Sequence, residues 1–224
     1  MSKREETEKK KFILQLRTAF CPPYTPPNKR IERFGQFYDG LSAFFRHAKP
    51  FIDNGTKIYL IDNTIPSMDS VPEKIRRILS ENGVEVHLFD KNVYGAINKG
   101  AGEIQSIQHM KSIISEFEWF IHFEPRQVLQ SPYFANSFFS NPRDLFTLNV
   151  NPPPNFNTGL YATRSENILR FVEQFTEERL RDMVNKQESL EFLLFNFYTK
   201  NIPFETLDKM DLFWYCPEGR RYHW

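Results

Sequence analysis

Cysteine is scarce in this chain of 224 residues. Only Cys21 and Cys216 occur, far apart, and neither has a second ligand-type residue at metal spacing. That usage argues against a disulfide framework and reads as free thiols in a reducing, cytoplasmic compartment. Long hydrophobic runs are missing too: none approaches the roughly 20 residues that a membrane span needs. Met1 to Lys11 are almost all charged or polar. They resemble neither a signal peptide nor a transit peptide and are expected to form a flexible, solvated segment. No excess of one charge exists, since 29 Lys and Arg face 28 Asp and Glu for a formal +1. A nucleic-acid partner is therefore not expected.

Several catalytic signatures are absent as well. No G-x-G-x-x-G or Walker loop follows the first apolar segment, which argues against dinucleotide and NTPase chemistry. No H-E-x-x-H, nucleophile elbow or paired C-x-x-C appears. Internal repeats and low-complexity tracts are lacking, so the chain reads as one domain.

What is present suits a buried core: 40% of residues are apolar and 16% aromatic, with 23 phenylalanines scattered along the chain. Dispersed aromatics of this kind are expected to fill the interior. Residues 12–16, 57–61, 84–89 and 119–123 read as strands. The spacing between them predicts helices over 31–48, 71–81 and 102–114. Between the first strand and the first helix, Pro22, Pro23, Pro26 and Pro27 predict an extended loop. Strand–helix alternation implies an α/β fold with a central, mostly parallel sheet flanked by helices. Further strands are expected over 145–149 and 158–163. A long helix opened by Ser165 as N-cap is expected over 165–184, and another helix over 188–198.

In such sheets ligands bind beyond the carboxyl ends of the strands, which selects the candidate residues. Gln15 and Arg17 lie at the end of the first strand. Asp62 and Asn63 follow the second, where Asp62 either accepts from a nucleobase or ribose or simply caps the turn Asp62-Asn63-Thr64. The loop from Asn92 to Gly102 holds three glycines and two asparagines before a helix. Its backbone amides could approach an anion, with Asn98, Lys99 and Gly100 at the helix start, or it could be an ordinary flexible loop. Glu124-Pro125-Arg126 ends the fourth strand. His47, His87, His109 and His122 form no ligand-spaced set and read as structural. His223, in the basic and aromatic terminus Arg220 to Trp224, stays open as a residue that folds over a ligand.

The order of these segments resembles the GT-A nucleotide-diphospho-sugar transferases. Ile58 to Thr64 matches a second strand ending in aspartate. Asn92 to Gly100 matches an N-x-G, N-x-G loop, one residue longer in its first half. Asn157-Thr158-Gly159-Leu160-Tyr161-Ala162-Thr163-Arg164 is similar to an N-[ST]-G-apolar-apolar-A-x-R strand. The resemblance implies a single Rossmann-like GT-A domain over 12–224, with a nucleotide-binding half over 12–126 and an acceptor-binding half over 127–224. It implies an inverting glycosyltransferase of polysaccharide biosynthesis. The enzyme would move a sugar from a nucleotide-sugar donor to a hydroxyl of a glycan or lipid-linked acceptor, with peripheral membrane contact conceivable. Asn157 would line the sugar site, and Glu188, with Glu191 in reserve, would be the general base. A non-catalytic nucleotide-sugar-binding or scaffold protein is the alternative, and a nucleotidyltransferase a third.

One departure matters. The family's D-x-D, which holds Mg²⁺ or Mn²⁺ on the diphosphate, is replaced by Glu124-Pro125-Arg126. Glu124 remains a possible metal ligand or ribose partner. Arg126 with Lys99 could replace the metal by pairing with the diphosphate, giving metal-independent action, or Arg126 could simply pair with Glu124.

Overall fold

The computed structural model describes residues 10–23, 25–89, 92–150, 152–215 and 221–223. Met1 to Lys9, Cys216, Arg220, Trp224 and the side chain of His223 lie outside the described residues. The strands are β1 (Lys10–Thr18), β2 (Lys57–Asp62), β3 (Glu85–Leu88), β4 (Phe117–Phe123), β5 (Gln127–Leu129), β6 (Leu145–Asn149), β7 (Asn155–Arg164), β8 (Glu205–Leu207), β9 (Leu212–Tyr215) and β10 (Arg221–His223). The helices are α1 (Pro27–Arg46), α2 (Lys49–Asp53), α3 (Glu73–Glu81), α4 (Lys99–His109), α5 (Lys111–Ile114), α6 (Tyr133–Ser140), α7 (Ser165–Val172), α8 (Glu177–Asn185) and α9 (Leu190–Asn201).

Seven strands form a mixed, mostly parallel sheet in the order β3-β2-β1-β4-β7-β6-β8. The four on the β3 side run parallel, and β7 is antiparallel to both β4 and β6. Strand β1 is central and covered on both faces, so Phe12-Ile13-Leu14 is apolar without alternation and fully buried. Its side chains still divide by parity. Phe12, Leu14 and Leu16 join a cluster under α1, α2, α3 and α6, while Ile13 faces a second cluster under α4, α5, α7, α8 and α9. The phenylalanines fill both: Phe44 stacks on Phe123 beneath α1, and Phe146 on Phe156 beneath α9.

The alternation expected over the first half of the chain is present, with shifted boundaries. Strand β1 begins at Lys10, so Lys10 and Lys11 belong to the sheet and not to the charged N-terminal segment. Helix α1 begins at Pro27, four residues before the expected start, because proline at the first helical position loses no hydrogen bond. That extra turn carries Lys29 and Arg30. The helix expected over 165–184 is two helices broken at 173–176, where the Thr176 side chain caps α8. The cap of α7 is Arg164, with Ser165 already helical. A small antiparallel sheet, β10-β9-β5, lies beyond the end of β4.

Two close contacts set the segment after β4. Helix α1 crosses it at Gly40, where a Cβ would come within 2.0 Å of the Pro125 carbonyl oxygen and 2.7 Å of that of Gln127. Only glycine allows that approach. On the other side, β5 pairs with β9, placing Gln127 opposite Trp214.

Candidate functional site

The parallel register brings Thr18 beside Asp62 and Leu16 beside Phe123, so the ends of β1, β2 and β4 form one edge. Antiparallel β7 delivers its first residues, Asn155 to Gly159, to that same edge. Helix α4 starts there as well, since the Arg17 guanidinium donates to the Lys99 carbonyl oxygen at 3.3 Å. Gly102 makes room for it: a Cβ there would meet Gly95 at 2.9 Å and the Arg17 guanidinium at 3.3 Å.

Above this edge lie two cavities, one bordered by Glu124 and the other by Arg126, whose side chains are 3.7 Å apart. The first, about 370 Å³, lies between α1 and α4 and is lined by Lys29, Arg33, Gln36, Lys99 and Arg126, with Glu32 the one acid among the described residues. Glu32 pairs with Lys29 at 3.1 Å, and among the described lining residues four cations, Lys29, Arg33, Lys99 and Arg126, face that acid. Arg126 is only 6% exposed, and its Nε lacks a hydrogen-bond partner. Its nearest acid is Glu124, whose Oε1 is 3.7 Å away. Arg17, 7% exposed with its own Nε unpartnered, lies below. Burial pulls the Lys99 ammonium below its ordinary pKa and Arg126 adds to the effect, with Glu124 opposing. Burial alone would raise the Glu124 carboxyl, but Arg126, Arg17 and Lys99 together hold it below the usual range. Under-paired guanidiniums and a destabilised ammonium make a receptor for an anion.

The second cavity, about 170 Å³, is lined by Glu124, Glu191, Asn157, Thr158, Gln127 and Trp214, among others. Among the described residues, two acids and no Lys or Arg line it. Glu191 accepts from the Ser189 hydroxyl through Oε2 and from Thr158 Oγ1 through Oε1. Asn157 Oδ1 accepts from the Gly159 amide at 3.0 Å, bracing the turn.

The expected residues therefore divide. Lys99, Glu124, Arg126, Asn157 and Glu191 line the two cavities, with Arg17 directly beneath. Asp62 does not reach them. It is fully buried, with one oxygen accepting from the Phe20 amide at 2.8 Å and the other from the Thr64 amide and hydroxyl. Its carboxylate joins the loops after β1 and β2, which is the turn-capping alternative. Asn63 is buried and donates to Asn92 Oδ1 at 3.0 Å, tying the β2 tip to the next loop. Asn98 caps α4 by accepting from the Ala101 amide, and its own amide donates to the Glu188 carbonyl oxygen. Gly100 packs on Leu190, where a Cβ would come within 2.7 Å. Glu188 pairs with Arg179 and lines neither cavity, so of the two candidate acids only the reserve, Glu191, borders one.

Gln15 lies one layer deeper, fully buried in register with His122 on β4, which in turn faces Tyr161 on β7. No hydrogen-bond partner meets the Gln15 amide or either nitrogen of His122, so the expected satisfied histidine is buried but unpaired. Glu103 of α4 faces this row, 3.6 Å from His122 and 3.5 Å from the Tyr161 hydroxyl. Sequence reasoning missed Glu103, and it missed Lys29 and Arg33, which lie on the face of α1 turned toward Lys99. It also missed Trp214, which stands 87 residues beyond its strand partner Gln127.

A divalent cation does not fit this edge. The acid at the end of β4 is ringed by Arg126, Arg17 and Lys99, which repel a metal and compete for its oxygens. Among the described residues, no group of three His, Cys, Asp or Glu side chains is placed to hold one. No protein-family model and no curated protein matches the chain.

Proposed function

We propose that this chain is a metal-independent glycosyltransferase that moves a sugar from a nucleotide-diphospho-sugar to an acceptor hydroxyl. The observation that carries the reading is the pairing of an anion-receiving cavity bordered by Arg126 with a carboxylate-bearing polar one bordered by Glu124, the two side chains 3.7 Å apart. The resemblance of Asn92 to Gly100 and Asn157 to Arg164 to GT-A segments supports it. So does the meeting of the α4 start and Asn157 to Gly159 at one sheet edge.

In this reading the diphosphate occupies the first cavity, on Arg126, Lys99 and Arg33. The transferred sugar reaches only to Glu124, and the acceptor hydroxyl comes to it from the Glu191 side. The Glu191 carboxylate takes the proton of the acceptor hydroxyl as its oxygen bonds to the anomeric carbon. The bond from that carbon to the β-phosphate oxygen breaks on the opposite side, inverting the centre. The electron pair leaves with the nucleoside diphosphate, whose new charge is met by Arg126 and Lys99. That is the part a metal plays where one is bound. Asp62 takes no part beyond holding the rim, and the nucleoside reader is left to the α1 side of the cavity.

Calorimetric titration with UDP-, GDP-, ADP- and dTDP-sugars, with and without EDTA, tests the reading. One donor is expected to bind equally well in both conditions, and Arg126→Ala to weaken it by about tenfold or more, as for loss of a charge-assisted contact. Binding that vanishes in EDTA removes Arg126 and Lys99 from this role. A donor that binds without ever being turned over leaves the non-catalytic alternative in its place.

A further inference from the structure

The charge of the second cavity limits what can enter it, and this inference rests on the transferase reading above. We infer that the second cavity receives a neutral pyranose of the acceptor, stacked on Trp214, and that it rejects sugars carrying a carboxylate or phosphate.

The argument starts from the lining. Two carboxylates, Glu124 and Glu191, border a space of about 170 Å³ that no Lys or Arg lines among the described residues. An anion there would be desolvated beside Glu191, whose described partners are the Thr158 and Ser189 hydroxyls and not cations, whereas hydroxyl groups donate to carboxylates readily. Asn149, Asn155, Asn157 and Thr158 add amide and hydroxyl groups around the same space, and such groups can pair with the alternating donors and acceptors of a ring's hydroxyls. Trp214 supplies the one extended aromatic surface beside Phe156, and a sugar ring's C–H face packs on such a surface without losing a hydrogen bond.

The wall is built to hold that platform. Gln127, 6% exposed, is the strand partner of Trp214 and lies against Gly159, where a Cβ would overlap its amide at 1.9 Å. Strands β4, β5, β7 and β9 thus close on one small space. The size suits a single ring, with the remainder of a glycan outside. Glu191, braced by Ser189 and Thr158, borders this ring and can reach one of its hydroxyls. Among the described residues the lining cations belong to the neighbouring cavity, so the two cavities separate a place for phosphate from a place for neutral sugar. A bare lipid phosphate is thereby excluded as acceptor, and a lipid-linked acceptor must present a neutral terminal sugar.

The test uses the full chain and a panel of methyl hexopyranosides (gluco, galacto, manno and N-acetylglucosamine forms), with methyl glucuronide and glucose 1-phosphate as anionic counterparts. Saturation-transfer NMR and calorimetry read the binding, with UDP and GDP titrated in parallel. At least one neutral glycoside is expected to bind. Trp214→Ala is expected to weaken it by about tenfold, the order of one aromatic contact, with Trp214→Phe recovering part of the loss. Glu191→Gln is expected to relax the rejection of glucuronide. Nucleotide binding with no glycoside bound overturns this inference alone. So does glucuronide bound as tightly as the neutral ring, or a bound glycoside indifferent to both Trp214→Ala and Glu191→Gln. Glycoside binding without any nucleotide binding overturns the transferase reading and leaves the neutral-sugar site standing. Binding of neither overturns both.

Discussion

Replacing Glu103 by glutamine removes an ionisable group from the interior while keeping its shape. Glu103 is 6% exposed, and burial pushes its carboxyl up to about 8 despite the opposing charge of Arg17. Burial, with help from Arg17, pushes neighbouring His122 down to about 3. At neutral pH the folded protein therefore holds a protonated acid beside an uncharged imidazole. An unfolded chain releases the Glu103 proton near its ordinary value of 4.5. Between that value and about 8 the folded state binds the extra proton. The resulting stability is complete at low pH and is lost as pH rises through the folded value, at about 1.4 kcal/mol per unit.

His122 acts in the opposite direction, but only below its ordinary value of 6.5, where the unfolded imidazole gains a proton. The window from pH 6.5 to 8 therefore isolates Glu103. Across it the wild type is expected to lose about 2 kcal/mol relative to Glu103→Gln. Urea unfolding at closely spaced pH values measures this, provided the slope with denaturant is unchanged. Parallel loss in the two proteins refutes the reasoning, because it places the Glu103 carboxyl near its solution value and the buried row in contact with water.

Other outcomes follow from single contacts. Gly40→Ala drives a methyl group into the 125–127 backbone and is expected to cost about 1–3 kcal/mol in urea unfolding, despite the better helix former. It is also expected to weaken nucleotide binding, because that backbone carries Arg126. Asp62→Ala strands the Phe20 and Thr64 amides inside the protein and is expected to cost about 1–3 kcal/mol, measured by thermal and urea denaturation. Glu191→Gln is expected to lower transfer by about 10²–10⁴-fold with nucleotide affinity unchanged. Glu188→Gln is expected to leave turnover close to wild type, and a collapse of activity there would return the base to Glu188.

The parallel half of the fold was legible because buried strands carry an unmistakable pattern. Phe12-Ile13-Leu14 and Tyr59-Leu60-Ile61 have no polar face to hide, and their tips mark the ligand edge whatever the ligand is. The short strands were not legible. Strand β5 is three residues long and exists through pairing with β9, far along the chain, which no local propensity encodes. The break between α7 and α8 was written in Thr176, a capping residue followed by two acids, and an apolar period continuing past it concealed the signal. Glu188 and Glu191 are alike in sequence. Glu188 precedes the helix and is taken by Arg179, whereas Glu191 falls one turn-fraction later and meets Thr158 of β7. That distinction needed the partner side chains.

On the transferase reading proposed above, Glu124-Pro125-Arg126 would do at this turn what a metal-binding pair of acids does in the GT-A enzymes that the sequence resembles. With two acids on this turn, a metal would have to bring positive charge to the phosphates. With an acid and a guanidinium, the turn brings it permanently, and the surrounding residues follow: Lys99 and Arg33 gather on the Arg126 side, and Glu191 and the asparagines on the Glu124 side. A permanent cation needs fixing more firmly than a metal ligand does, since it cannot be recruited from solution when a donor binds. Gly40 of α1 and the β5–β9 pairing supply that fixing from opposite sides. Arg126→Lys should therefore be a poor substitute. An ammonium at that depth keeps the charge but loses the planar fork, and its affinity for a nucleoside diphosphate is expected to fall by about tenfold from that of the wild type. Equal affinity would mean that charge alone, and not the held geometry of this turn, receives the phosphates.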